Sequence, residues 1–284
     1  MRINTSYIKY VALINFLVCT ICFGQNSVEL DQTIRKMSEE AKNGIAESQF
    51  QLGILYRNGK GVPIDFKIAF MWIKKSAEQG YTNAQATIAR MYEQGHGTKK
   101  NKPEAIKWWR IAANKGNPFA QAALGFYYLR GDGLPKDLIA AEKWLLLASK
   151  NNDPMSQFLL ALLYDNCKHQ TSFIKKTLEF GCMDSDIRPF LNPDKAAKWY
   201  RKAADAAFPN AQFALGLMLS EGQFIPQDNI EATMWLHLAF SILPPSKDRD
   251  EAYKAFIMVK QKLSYEEELR AKDMTRHWKP KLIN

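Results

Sequence analysis

A chain of 284 residues with 46% hydrophobic and 24% charged residues has room for one or two folded domains and is too apolar for a disordered tail. Its 39 Lys and Arg against 29 Asp and Glu leave a formal charge of +10, which favours acidic partners or anionic surfaces. Four histidines, His96, His169, His237 and His277, are too scattered for the ligand spacing of a zinc site, so no metal is expected.

The first 24 residues have the pattern of a signal peptide. Arg2 and Lys9 supply a positive start, Val11 to Phe23 are mostly apolar but short for a membrane span, and Cys22 and Gly24 precede an expected cut before Gln25. A lipoprotein-type cut at Cys19 is disfavoured by bulky Leu17 and Val18. The mature chain is therefore expected to be exported, periplasmic or secreted, and to have no membrane span. Loss of Arg2 and Lys9 takes its charge from +10 to +8. Of the cysteines, only Cys167 and Cys182 stay, and export predicts a disulfide between them. A loop of about 15 residues would gain about 3 kcal/mol. Two free buried thiols are the alternative.

Residues 25–43 are predicted to form a capping helix, from the spacing of Ile34, Met37 and Ala41. A short phrase then recurs: Gly44 to Gln49, Gly80 to Gln85, Gly116 to Gln121 and Asn152 to Gln157 at steps of 36, and Ala207 to Gln212 after 55, a step lengthened by 19. Trp72, Trp108, Trp144, Trp199 and Trp235 keep the same steps, each with alanine three residues earlier: Ala69, Ala105, Ala141, Ala196 and Ala232. The chain thus divides into units 44–79, 80–115, 116–151, 152–206 and 207–240.

Within a unit, apolar and small residues recur at three and four, as in Ser48, Leu52, Leu55, Tyr56 and then Ile68, Ala69, Trp72, Ser76, Ala77. Each unit is predicted to be two amphipathic helices. Gly59 and Gly61, Gly95 and Gly97, and Gly131 and Gly133 mark the turn between them; the fifth unit keeps only Gly222. The tryptophans are expected to fill the space between helices, where truncation to Ala costs about 3–5 kcal/mol if they are buried.

The fourth unit differs: Cys167 stands where other units have a turn glycine, and residues 167–191 have no counterpart. There Thr171 to Phe180 has the pattern of a short basic helix, and Phe173, Lys175 and Lys176 are the candidate binding residues. Residues 241–284 are expected to cap the other end with two helices, Asp248 to Lys262 and Tyr265 to Trp278, set apart by Pro244-Pro245. Ser264 is the expected N-cap of the second, with Glu267 three residues on.

The phrases Ala120-Gln121-x-x-Leu124-Gly125, Gly59-x-Gly61-Val62 and Ala105-x-x-Trp108-x-x-x-Ala112-Ala113 resemble the Sel-one-like repeat family, relatives of tetratricopeptide repeats. The resemblance covers Gly44 to Phe240. It implies an all-α fold, a right-handed α/α superhelical solenoid of about five helix pairs with helical caps, and the role of adaptor or scaffold in bacterial envelopes and host interaction. A smaller branch of exported, cysteine-rich relatives is linked to penicillin binding or weak β-lactamase activity.

The best enzymatic candidate is Ser172-Phe-Ile-Lys175, a Ser-x-x-Lys match of the β-lactamase kind, but its Ser-Asp-Asn and Lys-Thr-Gly companions are missing. No phosphate-cradling loop occurs, and neither catalytic residues nor a cofactor are expected. Nucleic acid is not an expected partner, because the lysines are dispersed and export separates the chain from it. Local basic groups occur at Lys99, Lys100 and Lys102 and at Lys198, Arg201 and Lys202. The expected partner is a protein or peptide, with a cell-wall peptide among the candidates. The alternative is a protein that binds or slowly hydrolyses β-lactams.

Overall fold

The computed structural model describes residues 32–165, 190–222 and 225–281. Their packing divides the chain into two compact units, residues 1–112 and 113–284. All regular structure among the described residues is helical.

In the first unit, helix α1 (residues 32–42) is followed by α2 (Ala46–Asn58), α3 (Phe66–Glu78) and α4 (Thr82–Gln94), and α5 (Lys102–Asn114) carries the chain into the second unit. The turn inside a pair is fixed by local hydrogen bonds. Gly59, left-handed at φ 69°, donates its N–H to the Leu55 carbonyl to stop α2, and Asp65 accepts from the N–H groups of Lys67 and Ile68 to start α3. The Asp65 N–H closes the turn on the Tyr56 carbonyl at 2.9 Å, and Asn101 does the same to Tyr92 at 2.9 Å.

The joint between pairs has its own fastening. The Gln49 side chain reaches back eight residues and donates to the Ala41 carbonyl at 3.0 Å, and Gln85 donates to the Ala77 carbonyl at 3.1 Å. Both glutamines are buried, and each adds a second bond to a helix-end carbonyl that already accepts the N–H of Gly44 or Gly80.

The second unit contains α6 (Pro118–Arg130), α7 (Leu138–Ser149), α8 (Pro154–Tyr164), α9 (Pro193–Asp205), α10 (Pro209–Glu221), α11 (Asn229–Ile242), α12 (Lys247–Lys260) and α13 (Tyr265–His277). Consecutive helices from α6 to α12 pack on one another, and α13 returns to α11. Pro118, Pro154, Pro193 and Pro209 each open a helix, where the missing N–H breaks no bond. Gln121 and Gln212 repeat the joint, donating to the carbonyls of Ala113 at 3.3 Å and Ala204 at 3.2 Å. At the far end Ser264 and Glu267 form a reciprocal capping box on α13.

The core shows why tryptophan alone is an incomplete marker. Trp108 and Trp235 are buried, whereas Trp72, Trp144 and Trp199 are half-buried. The residue after each one, Ile73, Trp109, Leu145, Tyr200 or Leu236, is buried to 2% exposure or less. One helical step of rotation separates the two positions, and in three pairs the second, Ile73, Leu145 or Leu236, packs closely on a glycine of the facing helix. There the neighbour makes room: a Cβ on Gly125 of α6 would lie 2.6 Å from Leu145 Cγ of α7, so the absence of a side chain is what lets the helices close. The half-buried tryptophans take up flanking positions, where Lys75 Nζ lies 4.8 Å from the Trp72 ring and Lys202 Nζ 4.3 Å from that of Trp199.

Between pairs the chain needs a left-handed residue. Gly44, Gly80 and Gly116 supply it at φ 85–92°, but the fourth and fifth units place Asn152 at φ 57° and Ala207 at φ 62° in the same position. Alanine is strained there by about 1 kcal/mol. Ala207→Gly is therefore expected to raise stability by about 0.5–1 kcal/mol, measurable in urea unfolding as a higher midpoint at unchanged slope. A lower midpoint would contradict this reading of the joint.

Candidate functional site

Several residues singled out in the sequence lie outside the described residues: the leader 1–24, Cys167, Cys182, and the candidates Phe173, Lys175 and Lys176 with Ser172. Among the described residues, the repeated turn glycines Gly59, Gly61, Gly95, Gly97, Gly131 and Gly133 all have positive φ. His96 is stacked on Phe66 with ring centroids 4.7 Å apart, and His237 lies in an aromatic cluster with Phe240 and Phe256 at 5.1 and 5.3 Å. No group of three or more His, Cys, Asp or Glu among the described residues is placed to hold a metal ion. No helix among them is long and apolar enough to cross a membrane.

The basic groups are used in two ways. On α9, Arg201 is not part of an open patch: it pairs through both terminal nitrogens with Glu231 of α11, the second contact being 3.1 Å from Nη2 to Oε2. Trp235 adds its indole N–H to the same carboxylate at 3.0 Å. Burial pushes the Glu231 carboxyl up, but the bonds from Arg201 and Trp235 and the charge of Arg201 outweigh it and hold the pKa below the usual 4.5. In the first unit, Lys99 borders an open depression of about 720 Å³ with Ile64, Phe66 and Gly97.

Two surfaces of the second unit stand out. Along α7, Ile139, Leu146 and Leu147 line an open cavity of about 540 Å³ with Trp199 of α9, and Glu142, Lys143 and Lys150 line it as well. Ile139 is 74% exposed, unusual for a large apolar side chain in a regular helix. Farther along, the chain end folds back. Trp278 meets Trp235 edge-on at 5.9 Å, and Lys281 donates its backbone N–H to the Asp205 carbonyl and its Nζ to Asp205 Oδ2, both at 2.8 Å. Neither surface was singled out from the sequence. The one available signal for the second was Trp278 in an otherwise basic chain end.

These helix pairs can be set beside known proteins. The Sel1 repeat matches at residues 46–81, 82–117, 118–153, 184–208 and 209–241. The chain belongs to the Sel1 repeat family. The fourth match begins only at residue 184 and takes in α9 but not α8, which locates the irregularity of that unit. A Sel1 repeat protein from Oxalobacter formigenes is 25% identical, over 89% of this chain and 98% of its own, with a TM-score of 0.63. A protective antigen of uropathogenic Escherichia coli strains with the same repeat fold is 22% identical over 88% of this chain, with a TM-score of 0.55. This chain spans 56% of that antigen's length. No curated protein matches. The fold class is thus the solenoid of consecutive helix pairs, a scaffold typical of protein–protein interaction.

In this Sel1 repeat chain the Arg201–Glu231 pair ties α9 to α11, and its pH dependence has a definite sign. A carboxyl whose folded pKa is lowered contributes stability that is complete above about 4.5 and is lost as the pH falls through the folded value. Glu231→Gln is expected to cost about 1 kcal/mol at pH 7 and progressively less as the pH falls below 4.5 through the folded pKa, read from thermal unfolding across that range. A cost independent of pH would mean that shape, not charge, holds the two helices.

Proposed function

We propose that this Sel1 repeat protein is an exported scaffold that holds a protein or peptide partner on its helical surface. The observation that carries the reading is the division of labour among its side chains. Residues that recur from unit to unit are spent on caps, joints and close packing, while the residues between them differ and lie open. Among the latter are the large apolar side chains Phe119 and Ile139, each more than 60% exposed. Apolar groups left open on a rigid repeat surface are what a partner covers. Export is supported by the leader pattern of residues 1–24 and by the small residues before Gln25.

The test is recovery of the tagged full chain from cell fractions of its own host after brief chemical cross-linking. The expected outcome is an N-terminus at Gln25, recovery outside the cytoplasm, and one partner protein in near-stoichiometric yield. Retention in the cytoplasm with the leader intact overturns export, and absence of any cross-linked partner overturns the scaffold. The same preparation is expected to leave a chromogenic β-lactam intact; turnover would require an enzyme in place of a scaffold.

A further inference from the structure

The second unit contains two sites related by the repeat, and at one of them residues 278–281 of the chain are docked. Trp199 and Trp235 occupy the same position one step of 36 apart, and Lys150 and Asp205 occupy the same position at the end of their helix pairs, 55 apart because of the insertion. At Trp235 and Asp205 the chain's own Trp278 and Lys281 are docked: an indole against an indole, and a lysine held by its backbone and its ammonium. At Trp199 and Lys150 the corresponding site is the open cavity of about 540 Å³, lined by Ile139, Leu146 and Leu147.

The two sites have opposite charge at the anchoring position. Asp205 accepts a lysine, whereas Lys150, joined in the lining by Lys143, repels one and attracts a carboxylate. Lys202, seated over the Trp199 ring, adds a further cation beside that tryptophan. The carboxylate among the lining residues, Glu142, is engaged by the Tyr164 hydroxyl. A second copy's chain end is a poor occupant, because Lys279 and Lys281 would face Lys143 and Lys150.

We propose that the groove between α7 and α9 binds an extended acidic segment of a partner protein, with an aromatic side chain against Trp199 and a carboxylate at Lys150. The inference rests on the scaffold reading and names the chemistry of its partner. The docked chain end supplies the template for the backbone and the aromatic anchor, and the change from Asp205 to Lys150 sets the charge that the guest must carry.

The test titrates the full mature chain with two dye-labelled peptides followed by fluorescence anisotropy. One carries the pattern Trp-Lys-Pro-Lys of the chain end, the other Trp-Glu-Pro-Glu. The acidic peptide is expected to bind roughly fivefold more tightly, with the preference shrinking in high salt. Lys150→Glu, a change at an exposed helix end that leaves the core untouched, is expected to reverse the order, and Trp199→Ala to weaken both peptides by roughly tenfold. Equal binding of the two peptides, a preference unmoved by Lys150→Glu, or no binding at millimolar concentration would each overturn the groove assignment. Its failure is separable from that of the scaffold reading: peptides that do not bind beside a partner that is still recovered by cross-linking remove only the groove.

Discussion

A buried amide reaching eight residues back is the interaction on which the repeats depend. Gln49, Gln85, Gln121 and Gln212 each sit at the start of one pair and donate to a carbonyl at the end of the helix before it. That carbonyl already accepts the N–H of the left-handed residue three positions on, so the amide adds a second bond to the same oxygen at a buried joint. The bond therefore fixes both the exit of one helix and the entry of the next. With the joint set, a left-handed residue beside it turns the chain into the next pair, and close contacts such as Leu145 against Gly125 follow within it. Regularity over many residues thus comes from a device that is purely local.

That locality explains how much was legible in the sequence. Steps of 36 between tryptophans, glycines and glutamines report interactions within one pair or across one joint, and these are what the described residues show. Helix caps at Asp65, Asp137 and Ser264 belong to the same local class. The tryptophan register was informative about period but not about depth, because pattern cannot tell the residue that faces the neighbouring helix from one that flanks it a single helical step away. Leu145 and Tyr200 form the core beside a more conspicuous residue. Ala207 was misleading in a different way, since nothing in its identity announces a positive φ; the joint imposes the conformation in spite of the residue.

The candidate surfaces were less legible, for a related reason. Arg201 and Glu231 are 30 residues apart and Lys281 and Asp205 are 76 apart, so their pairing depends on how helices stack, which no local period encodes. A basic cluster counted on α9 loses a member once Arg201 turns to α11, and an apolar groove appears where Ile139 lies uncovered. Function in such a chain is written in the departures from the repeat. These are the positions that a consensus averages away, and only the arrangement of helices shows which of them face the same space.

The folded-back chain end has a mechanical consequence. Repeat arrays ordinarily open from their ends, because a terminal pair has a neighbour on one side only. Here Lys281 grips Asp205 of α9 while Trp278 rests on α11, so the residues that follow α13 are fastened to the two helix pairs before the terminal one. Tension applied at the C-terminus enters the array at α9 before it reaches α13. The terminal helices then share the load in shear, instead of peeling away one after another, and the chain end works as a clasp on the stretch of polypeptide it encloses.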